Sequence, residues 1–188
     1  ERLHMKFEGT TEYQTLLYIP SKAPFDLFQA DRKHGIQLYC KRVFIMEDCN
    51  DLLPEYLRFV KGVVDAADLN LNVSREILQQ DRLVMNIRKN LVKKVLDLLA
   101  KMDDEKYLEF YDAFGAVIKE GIYTDHGRKE KLAALARFKT TKSEGKWVSL
   151  DEYIKNMAEG QEEIYYITGD NLAALLNSPH LEALNAKN

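Results

Sequence analysis

The chain has 188 residues, of which 46% are hydrophobic and 30% charged, a globular composition sized for one large domain or two small ones. Its formal net charge of -3 argues against general nucleic-acid binding, which draws on a basic surplus or a basic stripe. Two cysteines are too few for a secreted disulfide scaffold, and no apolar run approaches the roughly 18 residues that span a bilayer, so a reduced, cytoplasmic protein with no membrane segment is expected.

Glu1 to Lys6 has neither an initiator methionine nor a signal-peptide core, and these residues are expected to belong to a longer chain. Tyr13 to Pro20 (YQTLLYIP) is aromatic and aliphatic and stops at a proline, which predicts a strand. Two prolines between Ser21 and Asp26 turn the chain, and Gln29 to Gly35 is a charged loop. Ile36 to Ile45 (IQLYCKRVFI) alternates and predicts a second strand, with Cys40 a small core side chain. Pro54 suits the first turn of a short helix, with Glu55 near its positive end. Phe59 to Asp65 (FVKGVVD), with Gly62 and paired valines, predicts a third strand.

A loop from Ala66 to Val73 then feeds a long helical stretch, for which Ser74 is a candidate N-cap. Ile87, Leu91, Val95 and Leu98 recur at helical spacing, with Arg88, Lys89, Lys93 and Lys94 on other faces. Asp103 to Gly121 predicts a second helix striped by Tyr107, Tyr111, Phe114 and Ile118, and Gly121 suits a left-handed stop. Lys129 to Ala136 predicts a short helix, and Phe138 to Lys146 reads as a polar linker. Ser149-Leu150-Asp151-Glu152 matches a capping box. Ile164 to Thr168 (IYYIT) predicts a buried strand, followed by helices near Leu172 and from Ser178-Pro179. A lone strand cannot pair with itself, so its partner is expected elsewhere. The order is strands with helices, a helical middle, then a helix-strand-helix unit: an α/β (mixed α+β) fold.

Motifs for self-contained catalysis are missing. The four histidines are scattered, with no metal spacing, and there is no nucleophile elbow, Walker loop or dinucleotide fingerprint. Asn72-Val73-Ser74 fits a glycosylation pattern that matches often by accident. The most informative stretch is Leu69 to Gln80 (LNLNVSREILQQ). Asn70, Asn72 and Ser74 lead into Arg75 at a predicted helix start, where a cation opposes the helix dipole by up to about 1 kcal/mol. Arg75 is either an ordinary surface arginine or one that holds an anion together with the helix amides. Gln79 lies one turn later on the same face, and the pair could hold phosphate oxygens presented by another domain. Phe25, Phe28 and Phe44 are either core residues or an exposed patch that docks a domain or client. Arg82, Arg88, Lys89, Lys93 and Lys94 read as a solvated helix face or a protein-docking surface; nucleic acid ranks last because no aromatics interleave with them.

Several of these strings resemble the ninety-kilodalton heat-shock chaperone family in its bacterial form. They are LLYIPSKAPFDLF (16–28), LYCKRVFIMED (38–48), LLPEYLRFVKGVVDAADLNLNVSREILQQ (52–80), IRKNLVKK (87–94) and EEIYYITGDN (162–171). They cover most of the chain in the family's order. The resemblance implies that family's middle domain: a large αβα sandwich over residues 1–102, a helical connector over 103–137, and a smaller αβα unit over 138–188 that is truncated. It implies an ATPase in the full-length parent, with ATP and Mg held by a separate N-terminal domain and no activity for these residues alone. Arg75 would contact the ATP γ-phosphate when the clamp closes, with Gln79 and Asn72 in the same catalytic loop. Phe25 and Phe44 match positions of interdomain or client contact. Lys89, Lys93 and Lys94 lie on a helix implicated in docking the seventy-kilodalton chaperone DnaK. A homodimer through a C-terminal domain is implied as well. One departure is Asn70, where many relatives have proline, which removes a backbone constraint from the loop. Two rival readings are a protein-interaction module without a nucleotide role, and the transducer of a related DNA-handling clamp ATPase.

Overall fold

The computed structural model describes residues 1–8, 12–29, 35–69, 81–169 and 171–186. They form two compact units, Glu1–Leu135 and Ala136–Asn188.

The first unit is built on a five-stranded sheet in the order β1 (Arg2–Phe7), β2 (Tyr13–Tyr18), β5 (Lys61–Ala66), β3 (Gly35–Cys40), β4 (Val43–Met46). The β3–β5 pair is parallel and the other three are antiparallel, so the sheet is mixed. β1 has no counterpart among the expected elements. Leu3, Met5 and Phe7 do alternate with Arg2, His4 and Lys6, but this edge strand is only half-buried on its inner side, which leaves a weak pattern. The expected single strand from Ile36 to Ile45 is two strands. Lys41 and Arg42 take φ of 50° and 66° and turn the chain back as a hairpin. Two successive left-handed residues make the primed turn that matches strand twist, although glycine or asparagine usually fills it. Asp65 compensates: the Arg42 backbone N–H donates to both of its carboxylate oxygens at 3.2 Å.

β5 can sit between two strands because residue 62 is glycine. Its φ is +145°, and a Cβ there would lie 2.1 Å from the Leu16 carbonyl oxygen. One sheet face carries Tyr13, Leu17, Ile36, Leu38, Cys40 and Val64, all buried. The other carries Leu16 and Tyr18, which remain 47% and 49% exposed, so among the described residues helices cover one face only. The α/β class expected from the sequence is what the chain forms.

Helix α1 (Arg82–Ala100) starts at Asp81, whose side chain accepts from the Leu83 N–H at 2.7 Å. Ser74, the expected N-cap, lies outside the described residues. α1 buries Val84, Ile87, Leu91, Val92, Val95, Leu96 and Leu99, each contributing about 1.5–3 kcal/mol by leaving water. Leu98, expected in that stripe, is only partly buried.

Helix α2 (Asp104–Thr124) follows with Asp103 as N-cap, and helix α3 (Lys129–Leu135) closes the unit. Phe59 anchors an aromatic cluster with Phe110 and Phe114 at ring distances of 5.3 and 4.8 Å. The Tyr107 hydroxyl donates to the Leu135 carbonyl. Gly121 does not end α2, which runs on to Thr124. It makes room instead: a Cβ would lie 2.7 Å from the Tyr56 ring. Tyr56 belongs to a single 3-10 turn, Glu55–Leu57, preceded by Pro54, rather than to a helix with Pro54 inside its first turn. Arg58, buried, donates to the Leu27 carbonyl at 2.9 Å and grips Glu120 of α2 with both terminal nitrogens.

The second unit is smaller. β6 (Arg137–Phe138) and β7 (Val148–Ser149) form a two-stranded antiparallel sheet, so the expected linker at 138–146 is the connection of a hairpin. Ser149 and Glu152 make the expected capping box at the start of α4 (Leu150–Lys155). Asn171 caps α5 (Leu172–Leu176), and Ser178-Pro179 opens a 3-10 turn leading to α6 (Glu182–Asn185). Ile164 to Thr168 is neither a strand nor buried; Tyr166 is 87% exposed. Its apolar run matches a central strand, but β6 and β7 pair with one another, and no described strand lies beside it.

Gly62→Ala is expected to destabilise the first unit by about 1–3 kcal/mol through backbone strain alone, read from urea denaturation. A second prediction concerns acid. Burial opposes the Asp125 charge, but hydrogen bonds from Tyr56 (2.7 Å) and Arg128 (2.9 Å) outweigh it and hold the carboxyl below its ordinary 3.8. A folded value below the unfolded one stabilises above pH 3.8 and is lost as pH falls through the folded value. Tyr56→Phe should therefore lose less stability than wild type between about pH 5 and about pH 2.

Candidate functional site

Arg75, Gln79 and Asn72 lie outside the described residues. The chain on either side of them is described. β5 ends at Ala66, and three contacts then hold residues 67–69 to the sheet. The Ala67 N–H donates to the Glu12 carbonyl at 3.1 Å. The Glu12 N–H donates in return to Asp68 Oδ2 at 3.1 Å. Cys40, fully buried in β3, donates its thiol to the Leu69 carbonyl at 3.1 Å. At the far end, Asp81 both caps α1 and gives its carbonyl to the Met85 N–H at 3.0 Å. The segment from 70 to 80 thus runs between two anchored points. Asp68 and Cys40 escaped the sequence reading as site residues, because each acts on a residue distant in sequence.

The aromatic candidates are exposed. Phe25 stands 94% exposed in a turn whose backbone is fixed by Leu27 N–H to Pro24 O (3.1 Å) and Gln29 N–H to Asp26 O (2.9 Å). Leu27 is buried beneath it, and the Arg58 guanidinium lies 5.6 Å from the Phe28 ring centre. Phe44 is 52% exposed on β4, its ring edge-on to Tyr39 at 5.6 Å. Both leave apolar surface in water.

Lys89, Lys93 and Lys94 are exposed on α1. Lys89 and Lys93 are one turn apart and share a face. Nearby, Lys131 of α3 pairs with Asp97, and that hydrogen bond holds the Asp97 carboxyl below its ordinary range. The Lys93 charge also acts on that carboxylate.

Among the described residues no group of histidine, cysteine and carboxylate side chains could hold a metal ion. A cleft of about 300 Å³ is lined by Lys6, Lys41 and Arg42 but equally by Glu8, Glu12 and Asp65. A triphosphate there would meet as many negative groups as positive ones. No described helix is long and apolar enough to cross a membrane. Phe25→Ala is expected to change the unfolding free energy by no more than about 0.5 kcal/mol, whereas Leu27→Ala should cost about 2–5 kcal/mol. Urea denaturation of the two variants separates a displayed side chain from a packed one.

Residues 1–188 match the family described as Hsp90 protein. The chain is 53% identical over 191 residues to chaperone protein HtpG of Nocardia farcinica, covering 100% of this chain and 29% of that protein. It is 56% identical over 192 residues to chaperone protein HtpG of Hydrogenovibrio crunogenus, covering 98% and 30%. The chain thus spans less than a third of these relatives' length. Its fold superposes on the solved middle domain of a Plasmodium falciparum heat shock protein with a TM-score of 0.83 and 33% identity, covering 100% of this chain and 73% of that one. The chain belongs to the Hsp90 protein family, and its fold is that of the family's middle domain.

Proposed function

We propose that these residues are the middle segment of an ATP-driven chaperone clamp, in which Arg75 reaches the terminal phosphate of a nucleotide held in a separate N-terminal domain. The observation that carries this reading is the match along the whole chain to chaperones at more than half identity. ATP, with Mg, supplies the phosphoryl bond that is cleaved. The contribution of this chain is a planar guanidinium fork whose geometry suits phosphate oxygens, supported by Gln79 and by Asn72. An arginine delivered from outside the nucleotide pocket stabilises the closed arrangement and the charge developing on the phosphate together.

In this reading residues 1–102 and 103–137 are the large subdomain and its helical connector, and 138–188 belong to the smaller subdomain. Clients meet exposed apolar side chains, with Phe25 and Phe44 the leading contacts, supported by their exposure. Lys89, Lys93 and Lys94 dock the seventy-kilodalton chaperone DnaK. The working form is a cytoplasmic homodimer joined through a C-terminal domain, without nucleic acid or membrane as partner. Closure of the clamp changes which apolar surface a client sees, so phosphate chemistry biases a two-state machine.

The test is steady-state ATPase activity of a full-length chaperone carrying this segment, wild type against Arg75→Ala, with nucleotide affinity alongside. A fall of at least about tenfold with near-normal affinity is expected, less than the roughly 10³ to 10⁵ of arginine fingers in GTPases because this arginine also holds a conformation. Unchanged turnover would instead favour a protein-interaction module with no nucleotide role.

A further inference from the structure

We propose that the hairpin of the second unit, from Arg137 to Trp147, is a docking site for a short acidic peptide segment of a partner protein. The proposal is independent of the reading of Arg75 given above. This stretch holds four cations, Arg137, Lys139, Lys142 and Lys146, against one carboxylate, Glu144, in a chain whose formal net charge is -3. Lys139, Lys142 and Lys146 are exposed, and among the described residues none of the three forms an ion pair. Arg137 is partly committed, since its charge acts on Glu152 and its Nη1 donates to the Ala136 carbonyl at 3.1 Å. Cations crowded on one short loop repel one another, and a partner's carboxylates relieve that repulsion.

The loop is held in shape before a partner arrives. Phe138 pairs with Val148 in the β6–β7 ladder, which sets Lys139 opposite Trp147. The Lys139 ammonium lies 4.8 Å from the centre of the Trp147 ring, a cation–π contact that closes the mouth of the loop. At the tip, the Thr140 N–H donates to Ser143 Oγ at 2.9 Å, and the Ser143 hydroxyl donates to the Thr140 carbonyl at 3.1 Å. The Lys146 N–H then donates to the Ser143 carbonyl at 2.9 Å. Between them Glu144 and Gly145 take φ of 51° and 79° and return the chain toward β7. Lys142 and Lys146 thus project from a fixed backbone, so binding has only side chains to order.

The charge distribution favours a short acidic peptide over a longer polyanion. Outside the hairpin the chain carries more carboxylates than cations, so an extended row of phosphates, reaching past a Debye length of about 10 Å, meets repulsion as well as attraction. Single-stranded nucleic acid also needs open aromatic faces for its bases, and Lys139 lies over a face of Trp147. A few Asp or Glu residues in a row need only the lysines.

The test uses a full-length chaperone carrying this segment. Its affinity for a short fluorescein-labelled peptide of alternating Glu and Ala is measured by fluorescence anisotropy. Lys142→Glu/Lys146→Glu should weaken binding about tenfold or more, since each exposed ion pair is worth a few-fold and the reversal turns attraction into repulsion. Lys142→Gln/Lys146→Gln should give a smaller loss in the same direction, and both variants should keep the wild-type unfolding midpoint. Raising the salt from about 0.05 M to about 0.5 M should remove most of the wild-type binding. No binding by wild type at the lower salt overturns the proposal. So does an affinity unchanged in both hairpin variants, or reduced as much by reversing Lys89 and Lys93 of α1, which would assign binding to overall charge. A single-stranded oligonucleotide, or a vesicle of anionic lipid, that binds more tightly than the peptide and through the same lysines also overturns it, because the hairpin would then serve a different class of partner.

Discussion

The first unit depends on one close approach, the backbone of β5 against β2 at Gly62. β5 is the strand that joins the two halves of the sheet, antiparallel to β2 on one side and parallel to β3 on the other. The contact with the Leu16 carbonyl leaves no volume for a side chain, and the backbone angle is one that other residues adopt only under strain. Several features follow from that placement. Asp65 reaches the hairpin turn between β3 and β4. Ala66 ends the strand close to Glu12, just before β2. Residues 67–69 leave the sheet where Cys40 and Glu12 can both hold them. The strand thus fixes where residues 67–69 leave the sheet.

Helices on one face of the sheet support that strand. Phe59, just before β5, packs against Phe110 and Phe114, while Tyr56 fills the notch left by Gly121. Arg58 crosses the same region as a buried cation, satisfied by the Leu27 carbonyl, the Glu55 carbonyl and the Glu120 carboxylate. A buried charge left with fewer partners would be expensive, so this residue locks the turn that displays Phe25 to the helix that supports β5. Display and support thereby share one packed arrangement. The exposed ring of Phe25 is carried on a turn held by two backbone hydrogen bonds.

Among the described residues no group of histidine, cysteine and carboxylate side chains could hold a metal ion. What the described residues offer is a mixed sheet, hydrogen-bonded points at Leu69 and Asp81, and apolar side chains kept on the surface.

Much of this was legible in the amino-acid sequence, and the reason is local. The alternation of β2 and β3, the 3.6-residue stripe of α1, the capping box at Ser149 and the proline opening after Ser178 each express a preference decided within a few residues. Motif strings also identified the family, and through it Arg75, Gln79 and Asn72 as candidates. What the sequence misread was decided by contacts between distant residues. Lys41 and Arg42 look like strand residues until Asp65, far along the chain, supplies the acceptors that sustain a left-handed turn. Gly121 looks like a helix stop until Tyr56 is seen to need its space. Ile164 to Thr168 has the composition of a buried strand, but a strand requires a neighbour, and composition cannot provide one. The anchoring of residues 67–69 by Glu12 and Cys40 is of the same kind. Local pattern determined most of the elements; only tertiary structure decided whether a candidate strand finds a neighbour, where the chain turns and how residues 67–69 are held, because each of those is a pairing between groups that the sequence keeps far apart.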